Sequence, residues 1–322
     1  MHEISVIIPV HNGARVIGLT VNKLLKQRNV DFEILLIENF SSDESAKTCD
    51  ELMNQHENVR TYHCHKRGTS QARKLGVQKS EGEYIVFCDQ DDHYINNDAL
   101  YNILNTCKSH DLDICQFGRY TEYAPGIRKK KRFNLKPDFA LLGKKELLEK
   151  QIKGVLGFGW SKEIYLSSSV WDKCYHSQVI KEAVENIGTQ ELYYNEDSFL
   201  NSFVFFSPSV NRVGISDHSY YVWITGGVSS KPESSYIYMR DLEHSKAAQI
   251  KLIRDAGCGP ELENQCYWDT LTVWQWTVFS WIGGKVNKSD IIKWINEIES
   301  FQCVSEAKKV LGEKKDILEK LP

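Results

Sequence analysis

An α/β fold, with a mostly parallel central sheet covered by helices on both faces, is predicted by three observations. Through roughly the first 115 residues, short β-branched runs alternate with helical patterns, the rhythm of repeated β-α-β units. Polar and acidic residues gather where the apolar runs stop, at "VHNG" and at "CDQDDH", and open α/β sheets bind ligands at those carboxyl ends. The length of 322 residues exceeds what one core usually covers, which predicts a main domain plus an appendage.

The elements follow in order. "ISVIIPV" reads as a fully buried strand closed by "HNG". Ile17, Val21, Leu24 and Leu25 recur at helical spacing, and "FEILLIEN" is a second buried strand. "SSDESAKTCDELM" begins a helix with Ser and Asp where an N-cap belongs. "VRTYH" is a short strand, "SQARKLGVQKS" a helix closed by Gly82, and "YIVFCD" a further strand; "NNDALYNILNTCKSH" is a helix leading into the strand "DICQFG". Beyond that the pattern loosens, with strand-like "SSSVWDKCY" and "HSYYVWI" and a helix at "EDSFLNSFVFF". After "GGVSSKPESS" the composition turns helical, so the chain divides into residues 1–232 and 233–322. Within the second part Tyr267, Leu271, Trp274, Val278 and Trp281 share one helical face while Trp268 and Trp276 fall elsewhere. A helix apolar on more than one side is buried or shared, which predicts an oligomer contact or a lid.

Composition narrows the function. A net charge of -3, from 40 basic and 43 acidic residues, gives no overall pull toward nucleic acid or membrane. The nine cysteines are odd in number and never spaced C-x-x-C, which argues against a disulfide framework or zinc knuckle and for a reducing cytosol. No window has the apolar length of a spanning helix and the amino terminus lacks signal-peptide features, so a cytoplasmic protein is expected, with peripheral contact at the inner membrane face left open. "HNGARVIG" has no G-x-G-x-x-G, which sets a nicotinamide enzyme aside. Three acids, Asp89, Asp91 and Asp92, close one strand; like charges so close raise one another's pKa unless a cation is held between them.

Taken together the segments resemble family 2 glycosyltransferases of the GT-A fold, in particular the small bacterial members that build capsular, exopolysaccharide and lipopolysaccharide glycans. The resemblance spans about the first 230 residues in fixed order. "ISVIIPVHNG" is similar to the opening strand and turn, "ILLIENFSSDES" to the strand with the "DDGSTD" signature, and "RGTSQARKLG" to the "GxSxARNxG" helix. "GEYIVFCDQDD" resembles the strand bearing the DxD motif, "VWDKCY" the "xWNKLY" segment, "NEDSF" the acidic pair and "YYVWITGGVSS" the "YYYRxxxxSxS" segment. Departures are Glu38 and Asn39 in place of two aspartates, Lys66 and Lys74 where asparagines are common, and Trp223 near a usual Tyr or Arg.

The resemblance implies a metal-dependent inverting transfer from a nucleotide-sugar, UDP-linked rather than GDP-linked, to a hydroxyl of a glycan or lipid-linked acceptor. Mn²⁺ or Mg²⁺ would use hard oxygen ligands, Asp91 directly and Asp89 through water or at the ribose. Asp92 would orient a neighbour or face the sugar. Glu38 and Asn39 are candidates for the nucleotide base, with the backbone of Pro9 and Val10 lining the pocket and Arg73 forking onto pyrophosphate. Asp197 is the candidate base for the acceptor hydroxyl, with Glu196 the substitute. Trp160 would stack on a sugar or pack in the core. His93 is a lesser metal candidate and Asp43 a helix cap or a nucleotide contact; "HCH" at His63 to His65 reads as an ordinary strand rather than a zinc site, and "RKKKR" from Arg128 to Arg132 as a solvated loop rather than a patch for anionic lipid or a pyrophosphate-linked acceptor. The competing readings are a non-catalytic nucleotide-sugar-binding or scaffold protein of a glycan assembly complex and a nucleotidyltransferase. The latter would want a glycine-rich phosphate loop after the first strand.

Overall fold

The computed structural model describes residues 2–131, 135, 138–156, 166–188, 192–225, 235–283 and 287–311. Trp160 lies outside the described residues. The chain runs β1 (Ile4–Val10), α1 (Ile17–Leu24), β2 (Phe32–Glu38), α2 (Ser45–Gln55), β3 (Val59–His63), α3 (Thr69–Lys79), β4 (Tyr84–Phe87), β5 (His93–Tyr94), α4 (Ala99–Ser109) and β6 (Ile114–Ala124). There follow β7 (Ile127–Lys131), β8 (Phe139–Gly143), α5 (Lys144–Glu146), a π-helical turn (Leu147–Gln151), α6 (Ile152–Val155), β9 (Lys173–His176), α7 (Ser177–Asn186), α8 (Glu196–Phe206) and β10 (Arg212–Ile224). The tail holds α9 (Ser235–Asp255), α10 (Pro260–Gly283), α11 (Lys288–Glu299) and α12 (Gln302–Leu311).

The sheet has the order β3-β2-β1-β4-β9-β6-β10-β5, with β7 on β6 and β8 on β10. β3, β2, β1 and β4 are parallel, as are β6 and β10. β9 enters antiparallel between β4 and β6, so the sheet is mixed where the irregular middle of the sequence contributes. Alternation within β1 explains the layering. Ile4, Val6, Ile8 and Val10 pack with residues of α1, α2 and α4, while Ile7 packs with residues of α3, α7 and α8 on the other face. Each such side chain, wholly buried, contributes about 1.5–3 kcal/mol.

Two expectations are corrected here. Gly82 does not close α3, which ends at Lys79; it sits in the following turn, where an added Cβ would lie 2.5 Å from the Ser5 nitrogen. The basic run from Arg128 is not a loop: Ile127–Lys131 forms β7, antiparallel to β6, with Arg128 ion-paired to Glu122.

The tail helices share the core that holds Ile7 and Leu35. Tyr267, Leu271, Trp274, Val278 and Trp281 are all buried on the face their spacing predicts, and Trp268 is exposed; the side chain of Trp276 lies outside the described residues. α9 is bolted to α8 by polar contacts: Gln249 donates to the Ser198 and Ser202 hydroxyls at 2.8 and 3.1 Å. Asp241, fully buried on α9, accepts from the Tyr193 and Tyr194 backbone N–H groups at 2.8 and 3.1 Å. Among the described residues no helix is long and apolar enough to cross a membrane.

Candidate active site

Strand order turns back at β1: β2 and β3 lie to one side, β4 to the other. The carboxyl ends of β1 and β4 therefore flank the crevice in which such sheets bind ligands. Pairing of β1 with β4 ends at Ile7 opposite Phe87, so Pro9 lies past the last β4 partner, where its missing N–H leaves no gap in that ladder. Gln90 ties the two strand ends together. Its Oε1 accepts from His11 N at 2.9 Å and its Nε2 donates to His11 O at 3.1 Å. Gly13 makes room for this clamp, since a Cβ there would meet Gln90 Oε1 at 2.3 Å.

The acids of "DQDD" divide by environment. Asp92 is 1% exposed and accepts from the Tyr221 hydroxyl at 2.9 Å and from Ile224 N at 2.8 Å. The same Tyr221 oxygen accepts from Asp89 N at 2.9 Å, so one phenol links the backbone of Asp89 to the carboxylate of Asp92. Asp92 thus braces the turn from behind; burial and the neighbouring Asp89 raise its pKa to about 8. Asp89 faces the crevice, raised to about 6 by burial, Asp197 and Asp91 against the opposing pull of Arg73. Asp91 is partly buried with its pKa raised by desolvation, and no side-chain donor or cation partners it among the described residues.

Tyr221→Phe is expected to leave Asp92 and the Asp89 N–H each short of a partner. An unsatisfied buried group costs about 1–3 kcal/mol, so denaturant unfolding should show a loss in that range. A change below about 0.5 kcal/mol would mean the phenol bridge is not holding this turn.

Arg73, on α3, has a side chain 5% exposed and stands among three carboxylates. Nη1 lies 2.8 Å from Glu196 and 2.7 Å from Asp197, and Nη2 lies 3.6 Å from Asp89. The Glu196 contact is an aligned hydrogen bond; the Asp197 contact is an ion pair whose Oδ1 has no aligned donor. α8 presents both acids at its first turn, where helix N–H groups favour negative charge. Asn195 enters in the left-handed region at φ 57°, which turns the chain sharply into the helix. Glu196 is pushed up to about 7, first by burial and then by Asp197, with Arg73 opposing. Asp197 is the acid that Asp89 feels across the crevice, and its Oδ2 accepts from Val170 N at 3.2 Å. Glu196 instead lines a pocket with Ser70, Lys74, Val184 and Phe199.

The other sequence candidates are held by the scaffold. Glu38 is buried, with Oε1 accepting from Ser41 N at 2.6 Å and Oε2 3.4 Å from His63 Nδ1. Asn39 accepts from Gly68 N at 3.1 Å through its side chain, and its carbonyl accepts from His11 Nδ1 at 2.8 Å. Val10 is fully buried beside them. Asp43 anchors the start of α2, accepting from Ser45 and from Ala14 N, contacts that lower its pKa. Lys74 donates to the Ile187 carbonyl at 2.7 Å and ties α3 to the end of α7. His93 lies between Lys23 at 3.2 Å and Arg128 at 3.3 Å, and burial with these two cations lowers its pKa to about 4. Tyr221 and Asp241 were not singled out from sequence; an aromatic in a strand reads as core, and a lone acid in a helix reads as solvated.

A divalent cation suits this donor set. Asp89 and Asp91 supply hard carboxylate oxygens, and one arginine does not balance the acids around it. Among the described residues the one tight three-ligand cluster, His2, Glu33 and Glu81, lies near the opposite ends of β1 and β2, with Glu33 Oε1 occupied by the Ser5 hydroxyl and Glu81 N.

The architecture is the GT-A fold. The crystal structure of S. aureus TarS 1-349 in complex with UDP-GlcNAc aligns over 96% of this chain and 83% of that chain, with TM-score 0.69 at 20% identity. Residues 5–170 match Glycosyl transferase family 2, and the chain belongs to that family. Glycosyltransferase GlyG of Streptococcus pneumoniae is 32% identical over 37% of this chain and 40% of its own length. Uncharacterized glycosyltransferase EpsJ of Bacillus subtilis is 24% identical over 68% of this chain and 60% of its own. The chain thus spans about half the length of these curated relatives.

Proposed function

We propose that the chain is a metal-dependent, inverting glycosyltransferase. It moves a hexose or N-acetylhexosamine from a UDP-sugar to a hydroxyl of a glycan or lipid-linked acceptor in bacterial surface polysaccharide synthesis. The observation that carries the reading is the uncompensated carboxylate of Asp91 beside Asp89 at the switch point of the sheet. Support also comes from the named relatives, among them the Staphylococcus aureus poly(ribitol-phosphate) beta-N-acetylglucosaminyltransferase TarS, 21% identical over 75% of this chain.

Asp91 and Asp89 would hold Mn²⁺ or Mg²⁺, which when bound stabilises the negative charge growing on a departing diphosphate. Asp197 takes the proton of the acceptor hydroxyl as that oxygen attacks the anomeric carbon from the side opposite the nucleotide. Arg73 holds Asp197, Glu196 and Asp89 in one constellation, a positioning role made by its three ion pairs rather than by a fork on pyrophosphate. The strand ends at Pro9, Val10, Glu38 and Asn39 shape the nucleotide pocket, with Glu38 and Asn39 held by bonds to the loops that follow. The nine free thiols fit work in a reducing cytoplasm, at the inner membrane face where lipid-linked acceptors lie. The tail, whose α10 exposes Trp268 and Phe279, is the surface we assign to self-association or membrane contact.

Calorimetric titration of UDP-, GDP- and CMP-sugars with and without Mn²⁺ tests the reading. UDP-sugar should bind at least tenfold tighter with the metal, followed by sugar release to acceptor or water. Failure of every nucleotide sugar to bind would refute it.

A further inference from the structure

We propose that Arg119, framed by Trp171 and Trp223, forms an anion subsite that takes a phosphate group carried by the acceptor. The proposal rests on the transferase reading above and names the acceptor's chemical class.

Arg119 lies on β6 directly opposite Tyr221 on β10, and cross-strand partners share a sheet face. Tyr221 is the phenol that anchors Asp89 and Asp92, so Arg119 stands one cross-strand step from the acidic turn. The indole of Trp171 stacks on Tyr221 with centroids 4.9 Å apart and planes 19° apart. The Arg119 guanidinium carbon lies 4.9 Å from the Trp171 ring centre and 5.4 Å from that of Trp223. The two aromatic rings hold the guanidinium by cation–π attraction and leave its five N–H donors unused.

Those donors reach no acceptor at hydrogen-bond distance among the described residues, and Asp172 and Asp92 attract the guanidinium only at longer range. Among the described residues Arg119 makes no hydrogen bond or ion pair, and its Nε is buried without a partner. The contrast with Arg73, saturated by three acids, is direct. A desolvated guanidinium held between two rings with free N–H groups is suited to receive the oxygens of an oxyanion, which it grips in a two-pronged geometry.

The neighbouring strand adds charge of the same sign. In β7, Lys129 is in register with Thr121, two residues along β6 from Arg119, which places it on the Arg119 face. The alternate residues go elsewhere: Arg128 pairs with Glu122, and Lys130 lies over the Tyr120 ring. Lys129 is exposed and has no partner among the described residues. Residues 128–130 are thereby divided, Arg128 and Lys130 engaged on one face and Lys129 adding a cation on the face of Arg119. A multiply charged phosphate suits this group better than a single carboxylate. The donor's diphosphate has its own counter-charge in the ion that Asp91 and Asp89 would hold, which leaves Arg119 for the acceptor.

The test uses the full chain, saturated with UDP and Mg²⁺, titrated with inorganic phosphate and then with glycerol phosphate. Both probes should bind, glycerol phosphate the tighter. Arg119→Gln should weaken them at least tenfold and Arg119→Lys by less, with UDP affinity unchanged within twofold. Lys129→Ala, an exposed change that leaves the fold alone, should weaken them two- to threefold. Absence of phosphate binding to the unaltered chain, or equal binding by Arg119→Gln, overturns the proposal. So does a tenfold loss of UDP affinity in Arg119→Gln, which would mean that the residue serves the donor's diphosphate. If UDP binds none of these proteins the donor reading fails, and the same titration without UDP still decides the Arg119 assignment.

Discussion

Asp91→Asn is expected to yield a folded protein that transfers sugar at least a thousandfold more slowly. The argument begins with what Asp91 costs the resting protein. Its carboxylate is partly desolvated, which raises its pKa, and no cation offsets it among the described residues. For an acid whose folded pKa is raised, the penalty is absent at low pH and grows as pH rises through the unfolded value toward the folded one. At neutral pH the native charge is therefore a net cost, and the isosteric amide removes it. The melting temperature of the variant should stay level or rise by a degree or two. Activity should move the other way, because an amide cannot contribute the charge that binds a divalent ion, and losing several kcal/mol of leaving-group stabilisation is a factor of about 10³ or more. Excess chelator should reproduce the defect in the unaltered chain and add nothing to the variant. Undiminished turnover by Asp91→Asn would remove the metal from the mechanism.

Asp197→Asn is expected to lower kcat by about 10²–10⁴, the usual worth of a general base, with donor affinity within threefold of normal. Two acids start α8, and geometry separates them. Asp197 is felt by Asp89 across the crevice, while Glu196 makes the aligned bond to Arg73 and lines the pocket toward α3 and α7. Glu196→Gln should therefore lose less in kcat, and its defect should include stability, since its amide keeps only part of the bond to a buried guanidinium. Steady-state kinetics of both variants, with denaturant unfolding alongside, separate the roles. A larger kcat loss in Glu196→Gln with an intact fold would transfer the base to Glu196.

How much was legible in the chain follows from the range of the interactions. Strands β1, β2, β4 and β10 and the acids closing β4 could be read because each is a local pattern, an apolar run stopping on polar residues. β5, at two residues, and β7, with the sequence "IRKKK", carry no such run; they exist because β10 and β6 offer them an edge. The antiparallel entry of β9 was equally hidden, since direction in a sheet is set by the route of the chain between strands. At the site, the residue types were legible and their partners were not. Arg73 meets Glu196 across 123 positions and Asp89 meets the Tyr221 hydroxyl across 132, separations at which no spacing rule operates. Glu38 and Asn39 show the same limit: their types suit base recognition, whereas their bonds to Ser41 and Gly68 belong to the loops that carry them.

The buried carboxylate of Asp241 gives the helical tail a further meaning. It grips the two peptide groups that immediately precede Asn195 and the acids of α8, from a helix that begins only at Ser235. The placement of Glu196 and Asp197 is thus set in part by a segment far along the chain. Loosening that grip, as Asp241→Asn would, is therefore expected to disturb the entry to α8 from a position that touches neither acid.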